Sequence, residues 1–280
     1  MEKFRIIADS SADTVEFAGA SYIQVPLKII TAEQEYVDDA SLDPVSMARA
    51  MQQYKGRSST SCPNTEEWLT AFGDAENVFC VAITATLSGS YNAACVAKTM
   101  YEADHPGRRV HVINSLSTGP EMRLIIEKLA EFIQAGQDFD QIVENIGQYS
   151  AKTGLLFMLE SMKNLANNGR CSPVVAKAAG LLGIRVIGKA SDRGDLEILS
   201  KARGRERALD TIMGHLKSLG FAGGRIRISH CANEAAAESL KTRILNEFNR
   251  AKIEVYPCRG LCSFYAELGG MLIGFEKAQK

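Results

Sequence analysis

Val78-Phe79-Cys80-Val81-Ala82-Ile83-Thr84, running directly into Ala85-Thr86-Leu87-Ser88-Gly89-Ser90-Tyr91, is the stretch on which the reading of the fold turns. Its first half is apolar and gives the strongest strand signal in the first half of the chain. Its second half is a hydroxyl-rich loop with a glycine, and it opens a helix read over Ser88–Met100. A strand leading through a polar loop into a helix is the repeating unit of a parallel α/β sheet, where ligands collect at the carboxyl ends of the strands. A helix N-terminus adds free N–H groups and a dipole that favours an anion. The loop has no lysine, so a singly charged carboxylate suits it better than a triphosphate. Simple capping of the helix is the alternative reading of these hydroxyls.

The same alternation extends outward. Phe4–Ala8 reads as a first strand that stops at Asp9-Ser10-Ser11, residues with N-cap chemistry, and Tyr22–Ile30 as another, with Thr31–Asp39 returning as a hairpin. Asp43-Pro44 and Thr65-Glu66-Glu67 begin helices. Arg109–Asn114 is a strand, and Glu121–Ala135 and Phe139–Tyr149 are helices. Beyond them the pattern changes. Leu155–Leu159 is a strand or linker, with helical stretches at Ser161–Asn167 and Val174–Leu182. Ile184–Ala190 and Leu196–Leu199 flank the turn Ser191-Asp192-Arg193-Gly194-Asp195, a hairpin signal that implies antiparallel pairing. Glu206–Leu219 and Glu234–Asn249 read as helices, the latter capped by Asn233, and Arg225–His230, Lys252–Tyr256 and Gly270–Phe275 as strands. The expected fold is therefore α/β with two domains: residues 1–150 around a parallel sheet with flanking helices, and 151–280 around a mixed sheet.

Bulk composition agrees with this. The 280 residues are 46% hydrophobic and 23% charged, which argues against general disorder and suits about two domains. With 32 basic and 33 acidic residues the net charge is −1, so no nucleic-acid partner is indicated. Seven cysteines without regular spacing point to reduced thiols rather than a disulfide framework. No secretory h-region and no apolar run of the ~20 residues needed to span a bilayer is visible. A cytoplasmic protein that is not embedded in a membrane is expected.

Other candidate sites are weaker one by one. Ser58-Ser59-Thr60-Ser61-Cys62-Pro63-Asn64 is a second hydroxyl cluster before a helix, read locally as a capping loop. Asn167-Asn168-Gly169 supplies a helix C-cap and leaves Arg170 beyond it, free to reach elsewhere or to stay on the surface. Gly183–Lys189 has P-loop spacing, but its interior is a strand and Ala190 stands where a hydroxyl is required. There is no G-x-G-x-x-G after a strand, no G-x-S-x-G and no H-E-x-x-H, and four dispersed histidines form no triad. Cys258 and Cys262 with His230 and Cys231 lack zinc spacing, so no metal is expected.

In order, Ile7-Ala8-Asp9-Ser10-Ser11, Val25-Pro26-Leu27, Thr60-Ser61-x-Pro63, Leu87-Ser88-Gly89-Ser90-Tyr91, Asn114-Ser115-Leu116-Ser117, Gly169-Arg170-x-Ser172 and Lys201-Ala202-Arg203-Gly204 resemble the DegV family of bacterial lipid-binding proteins across almost the whole chain. That resemblance implies a long-chain fatty acid held between the two domains, with no other cofactor. It implies carboxylate contacts from Thr60, Ser61 and Ser88, with Gly89 in the same loop and Arg170 steering the carboxyl end or engaging a partner. It implies no catalysis by this chain. A separate ATP-binding fatty acid kinase protein would phosphorylate the presented carboxylate, and membrane contact would be only transient. In place of the family's H-x-G-P-G segment stands Tyr265-Ala266-Glu267-Leu268-Gly269, with Tyr265 at the histidine position. Two other functions remain open at this point: an enzyme acting on a small acid through Ser88 or Arg170, and a regulatory protein whose surface responds to ligand.

Overall fold

The structure, a computed structural model, describes residues 2–174, 176 and 183–278. Its first half comprises β1 (Phe4–Asp9), β2 (Tyr22–Val25), β3 (Lys28–Ile30), β4 (Glu35–Val37), α1 (Pro44–Gln53), β5 (Ser59–Ser61), α2 (Thr65–Phe72), β6 (Asn77–Ala82), α3 (Ser90–Asp104), β7 (Arg109–Asn114), α4 (Pro120–Gln134) and α5 (Phe139–Ser150). The four strands β2-β1-β6-β7 form a parallel sheet in that order. Alternation along its strands divides the core. Ile6, Ala8, Phe79 and Val81 face Ile125, Ile126 and Leu129 of α4, while Ile7, Val78 and Cys80 face Trp68, Phe72, Ala94 and Ala97 of α2 and α3.

The single strand expected over Tyr22–Ile30 is two strands in two sheets. Pro26 has no N–H to give a ladder, so the chain leaves the parallel sheet after Val25. It re-forms as β3, the centre of a small antiparallel sheet ordered β4-β3-β5. The hairpin expected at Thr31–Asp39 is its β3–β4 half. The cluster read as a capping loop at Ser58–Asn64 is only partly one. Asn64 caps α2 in a reciprocal capping box with Glu67, but Ser59–Ser61 pair with β3 and set Thr60 opposite Ile29.

The second half adds β8 (Thr153–Leu159), α6 (Lys163–Asn167), β9 (Ile184–Ala190), β10 (Leu196–Arg203), α7 (Arg205–Ser218), β11 (Arg225–His230), α8 (Glu234–Glu247), β12 (Lys252–Pro257), α9 (Gly260–Ala266) and β13 (Met271–Glu276). Its sheet runs β10-β9-β8-β13-β11-β12, and only β11 and β12 pair in parallel, so it is mixed as expected. Most of the helical reading at Val174–Leu182 lies outside the described residues. The P-loop look-alike is strand β9. Asn233 stands at the N-cap position of α8 but its side chain does not cap it; its amide donates instead to the Gly269 carbonyl at 2.7 Å. Helix α9 is not signalled by the sequence. No helix among the described residues is long and apolar enough to cross a membrane.

Helix α4 lies between the two large sheets. Glu127 receives Arg227 at 2.7 and 2.8 Å, and Arg123 donates to Glu254 at 2.6 Å. At Gly274 a Cβ would stand only 2.5 Å from the Glu121 nitrogen, so the bare glycine lets β13 approach the start of α4. The two halves are thus in direct polar and steric register along this helix.

Candidate functional site

At the carboxyl end of β6, the buried Asp9 fixes the loop into α3. Its carboxylate accepts from the Ile83 N–H at 2.9 Å, the Ser90 hydroxyl at 2.6 Å, and the Ser11 N–H and hydroxyl. Burial pushes its pKa up, and these donors restrain the rise. Ser90 is therefore turned into the core and does not belong to the hydroxyl cradle. Thr84 and Thr86 are also engaged: their hydroxyls share a hydrogen bond of 2.9 Å, and Thr86 donates to the Gly194 carbonyl at 2.9 Å. That bond seats the tip of the β9–β10 hairpin on this loop. Ser88 and Gly89, with Thr84, line a cavity. Gly89 stands at the N-cap of α3 without a side-chain cap of its own, and the Ser88 hydroxyl accepts the Ser90 N–H at 3.3 Å, so Ser88 sits against the start of the helix.

Three other elements meet there. Thr60 on β5 and Tyr265 on α9 join hydroxyls at 2.8 Å. Burial raises the Tyr265 pKa, with the Thr60 contact and the charge of Arg170 opposing it, so the phenol stays a neutral donor. Arg170 follows Gly169, whose φ of +73° ends the turn after α6. Its Nε donates to the Leu87 carbonyl at 3.1 Å and a terminal nitrogen to the Asn168 carbonyl, which ties the guanidinium to the Ser88 loop. Ser61 stands at the exposed rim, its hydroxyl on the Cys62 carbonyl at 3.3 Å. All six candidates, Thr60, Ser61, Ser88, Gly89, Arg170 and Tyr265, line one cavity of 340 Å³.

The remainder of this cavity is mostly apolar, with Thr84, Ser117, Thr118 and Asp195 also in its lining. Leu155, Phe157 and Leu159 of β8 face it at every second residue, while Leu156 and Met158 turn to the core on the far side of the sheet. Leu196 and Leu272 continue the wall from neighbouring strands, and Leu261 and Ala266 close it from α9. Which β8 residues face the cavity cannot be read from the run Leu155–Leu159 itself, because both faces are buried and the run is uniformly apolar.

The placement of α9 depends on two buried acids from the first half of the chain. Asp38 accepts the Gly260 and Leu261 N–H groups at 2.7 and 2.8 Å, and Asp13 accepts the Arg259 N–H at 2.7 Å. Both carboxyls are pushed up by burial, Asp13 to about 7. The Ser229 hydroxyl and the Cys262 thiol restrain the Asp13 shift and the charge of Asp38 adds to it, while one Asp13 oxygen is buried without a hydrogen-bond partner among the described residues. Neither acid was singled out as a site residue from sequence.

A family model described as "Uncharacterised protein, DegV family" matches residues 3–277. The chain belongs to the DegV family. A DegV domain-containing protein of Streptococcus pneumoniae is 44% identical over 277 residues, covering 98% of this chain and 99% of the relative. Two solved structures superpose with TM-scores of 0.96, each at 44% identity. One is a DegV family protein from Eubacterium eligens loaded with heptadecanoic acid, matched over 98% of this chain and 100% of its own. The other is the Streptococcus pneumoniae Fatty Acid Kinase (Fak) B3 protein loaded with linoleic acid, matched over 99% and 100%. The fold is that of these DegV structures, a parallel four-stranded sheet with flanking helices joined to a mixed six-stranded one.

Proposed function

We propose that this DegV chain binds a long-chain fatty acid and presents its carboxylate to a separate ATP-binding kinase protein. One observation carries the reading. A single cavity has a largely apolar body and a polar end where hydroxyls of Thr60, Ser61, Ser88 and Tyr265 and the guanidinium of Arg170 converge beside the start of α3. The acyl tail lies along Leu155, Phe157 and Leu159, and the carboxylate among those donors. Burying ~15 methylenes supplies on the order of 10 kcal/mol before ordering costs, so the polar end has only to orient the acid and compensate its desolvation. The two relatives with bound fatty acids support the ligand class, and the pneumococcal relative's name supports a kinase partner.

In this reading the chain is a carrier without catalysis of its own, needs no further cofactor, works in the cytoplasm and meets membranes only transiently. Its two halves divide near residue 150 and close on the ligand from either side. Native mass spectrometry of the purified protein, followed by identification of the released molecule, tests it. A stoichiometric fatty acid is expected, with weakened binding in Ser88→Ala and Thr60→Ala. An empty protein that also takes up no added acid would overturn the proposal, and full affinity in both variants would overturn the placement of the carboxylate.

A further inference from the structure

A second cavity, of 530 Å³, lies behind the first. It is walled by the ends of β7 and α5, by the start of β8 and by one side of the β9–β10 hairpin, and includes Ile113, Ile146, Glu121 and Lys277. None of the six candidate residues at the mouth of the first cavity lines it. Among the described residues, the two cavities share two lining residues, Leu155 and Ala190. Leu155 is the inward residue of β8 farthest along the strand from Leu159, about 13 Å away at the rise of an extended chain. Beyond it the wall is more polar: the second cavity is lined by the carboxyls of Glu121 and Asp192, the Lys277 ammonium, His111 and several hydroxyls beside its aliphatic groups, and an acyl tail would gain less by entering it.

We infer that Leu155, backed by Ala190, is the end stop of the acyl pocket and sets the longest tail this chain accepts. The inference rests on the fatty-acid reading of the first cavity. The Leu155 side chain separates the two spaces, so a tail that reaches it meets a wall. Trimming it joins the first cavity to the second, and enlarging it shortens the first.

The test is competition between saturated acids of 14 to 22 carbons for the full-length protein, read by native mass spectrometry as occupancy ratios. Each methylene kept from water is worth about fourfold in affinity. Leu155→Ala is expected to raise the ratio of 20-carbon to 16-carbon acid by about tenfold or more, and Leu155→Phe to lower it. Leu165→Ala, a lining change away from the shared wall, is expected to leave the ratio near the parent value. Unchanged ratios in both Leu155 variants would overturn the end stop, as would an equal rise in Leu165→Ala, because added volume alone would then explain it. Failure of the parent protein to bind any acid would instead refute the proposed function, so the two failures are distinguishable.

Discussion

Replacing Asp13 by asparagine isolates one buried carboxyl at the joint between the two halves of the chain. Desolvation raises its pKa from 3.8 to about 7. A carboxyl raised on folding holds its proton more tightly in the native state, so the native state binds more protons than the unfolded state between those two values. Its contribution to stability is complete below pH 3.8 and is lost as pH rises through 7. At 1.36 kcal/mol per unit the full effect is at most about 4 kcal/mol, and the part falling between pH 5 and pH 7 is on the order of 2–3 kcal/mol. Asp9, Asp38 and Glu121 are shifted the same way, and His111, His215 and His230 are shifted down, which opposes them. The difference between parent and variant removes the contributions of groups not coupled to Asp13; Asp38, whose charge helps raise the Asp13 pKa, is relieved in the variant and adds to the difference in the same direction. Asparagine keeps the amide oxygen that accepts the Arg259 N–H, and it tolerates the left-handed φ of +55° at this position. Urea unfolding at pH 5, 6, 7 and 8 should show the parent losing about 2–3 kcal/mol more than Asp13→Asn across that range. Parallel stability curves would refute the reasoning, since Asp13 would then titrate alike in both states.

Three further outcomes follow from the same geometry. Tyr265→Phe should weaken fatty-acid binding by about 1 kcal/mol, roughly fivefold, because it removes the hydroxyl paired with Thr60. The parent's affinity between pH 7 and pH 9 should show no step absent from the variant, since the phenol is raised and stays neutral. Gly194→Ala should destabilise by about 1–3 kcal/mol in urea unfolding, because φ is +84° there and a Cβ would collide with the Thr84 hydroxyl; an unchanged midpoint would mean that the hairpin tip does not seat on the β6–α3 loop. A fragment of residues 1–150 should unfold without a cooperative transition by circular dichroism. It lacks Leu261 and Phe264, which complete its clusters, and leaves the Asp38 carboxyl without its two backbone donors.

What was legible in the sequence was what local chemistry encodes. The β6–α3 unit announces itself through an apolar run, a hydroxyl loop and a helical segment, and the β9–β10 hairpin through its Ser-Asp-Arg-Gly-Asp turn. What was hidden depended on distant partners. Ser90 reads like Ser88, yet it belongs to Asp9 on another strand. Asn233 has the right residue type for a cap and is claimed instead by the Gly269 carbonyl. Of the site residues, Ser88 and Gly89 could be reached from spacing and dipole arguments alone. Arg170 was marked only by the Asn-Asn-Gly cap before it, which left its destination open, and Tyr265 had no local signal and came with the family resemblance. Their convergence is made by contacts with Leu87 and Thr60, 83 and 205 residues away.

Helix α9 shows why such a site cannot be read locally. Gly260-Leu261-Cys262-Ser263-Phe264-Tyr265-Ala266 is seven residues long, rich in weak helix formers and almost wholly buried, so it has neither propensity nor an amphipathic period to betray it. Its first N–H groups are satisfied by Asp38, and the glycine at its start is required because a Cβ would come within 2.7 Å of that carboxyl. The helix therefore exists only when the first half of the chain is already folded. It delivers Tyr265 to Thr60, and Leu261 and Ala266 to the cavity wall. Folding of the two halves and assembly of the polar mouth are in consequence one event. Under the proposed function, a ligand held there would draw on contacts from both halves of the chain.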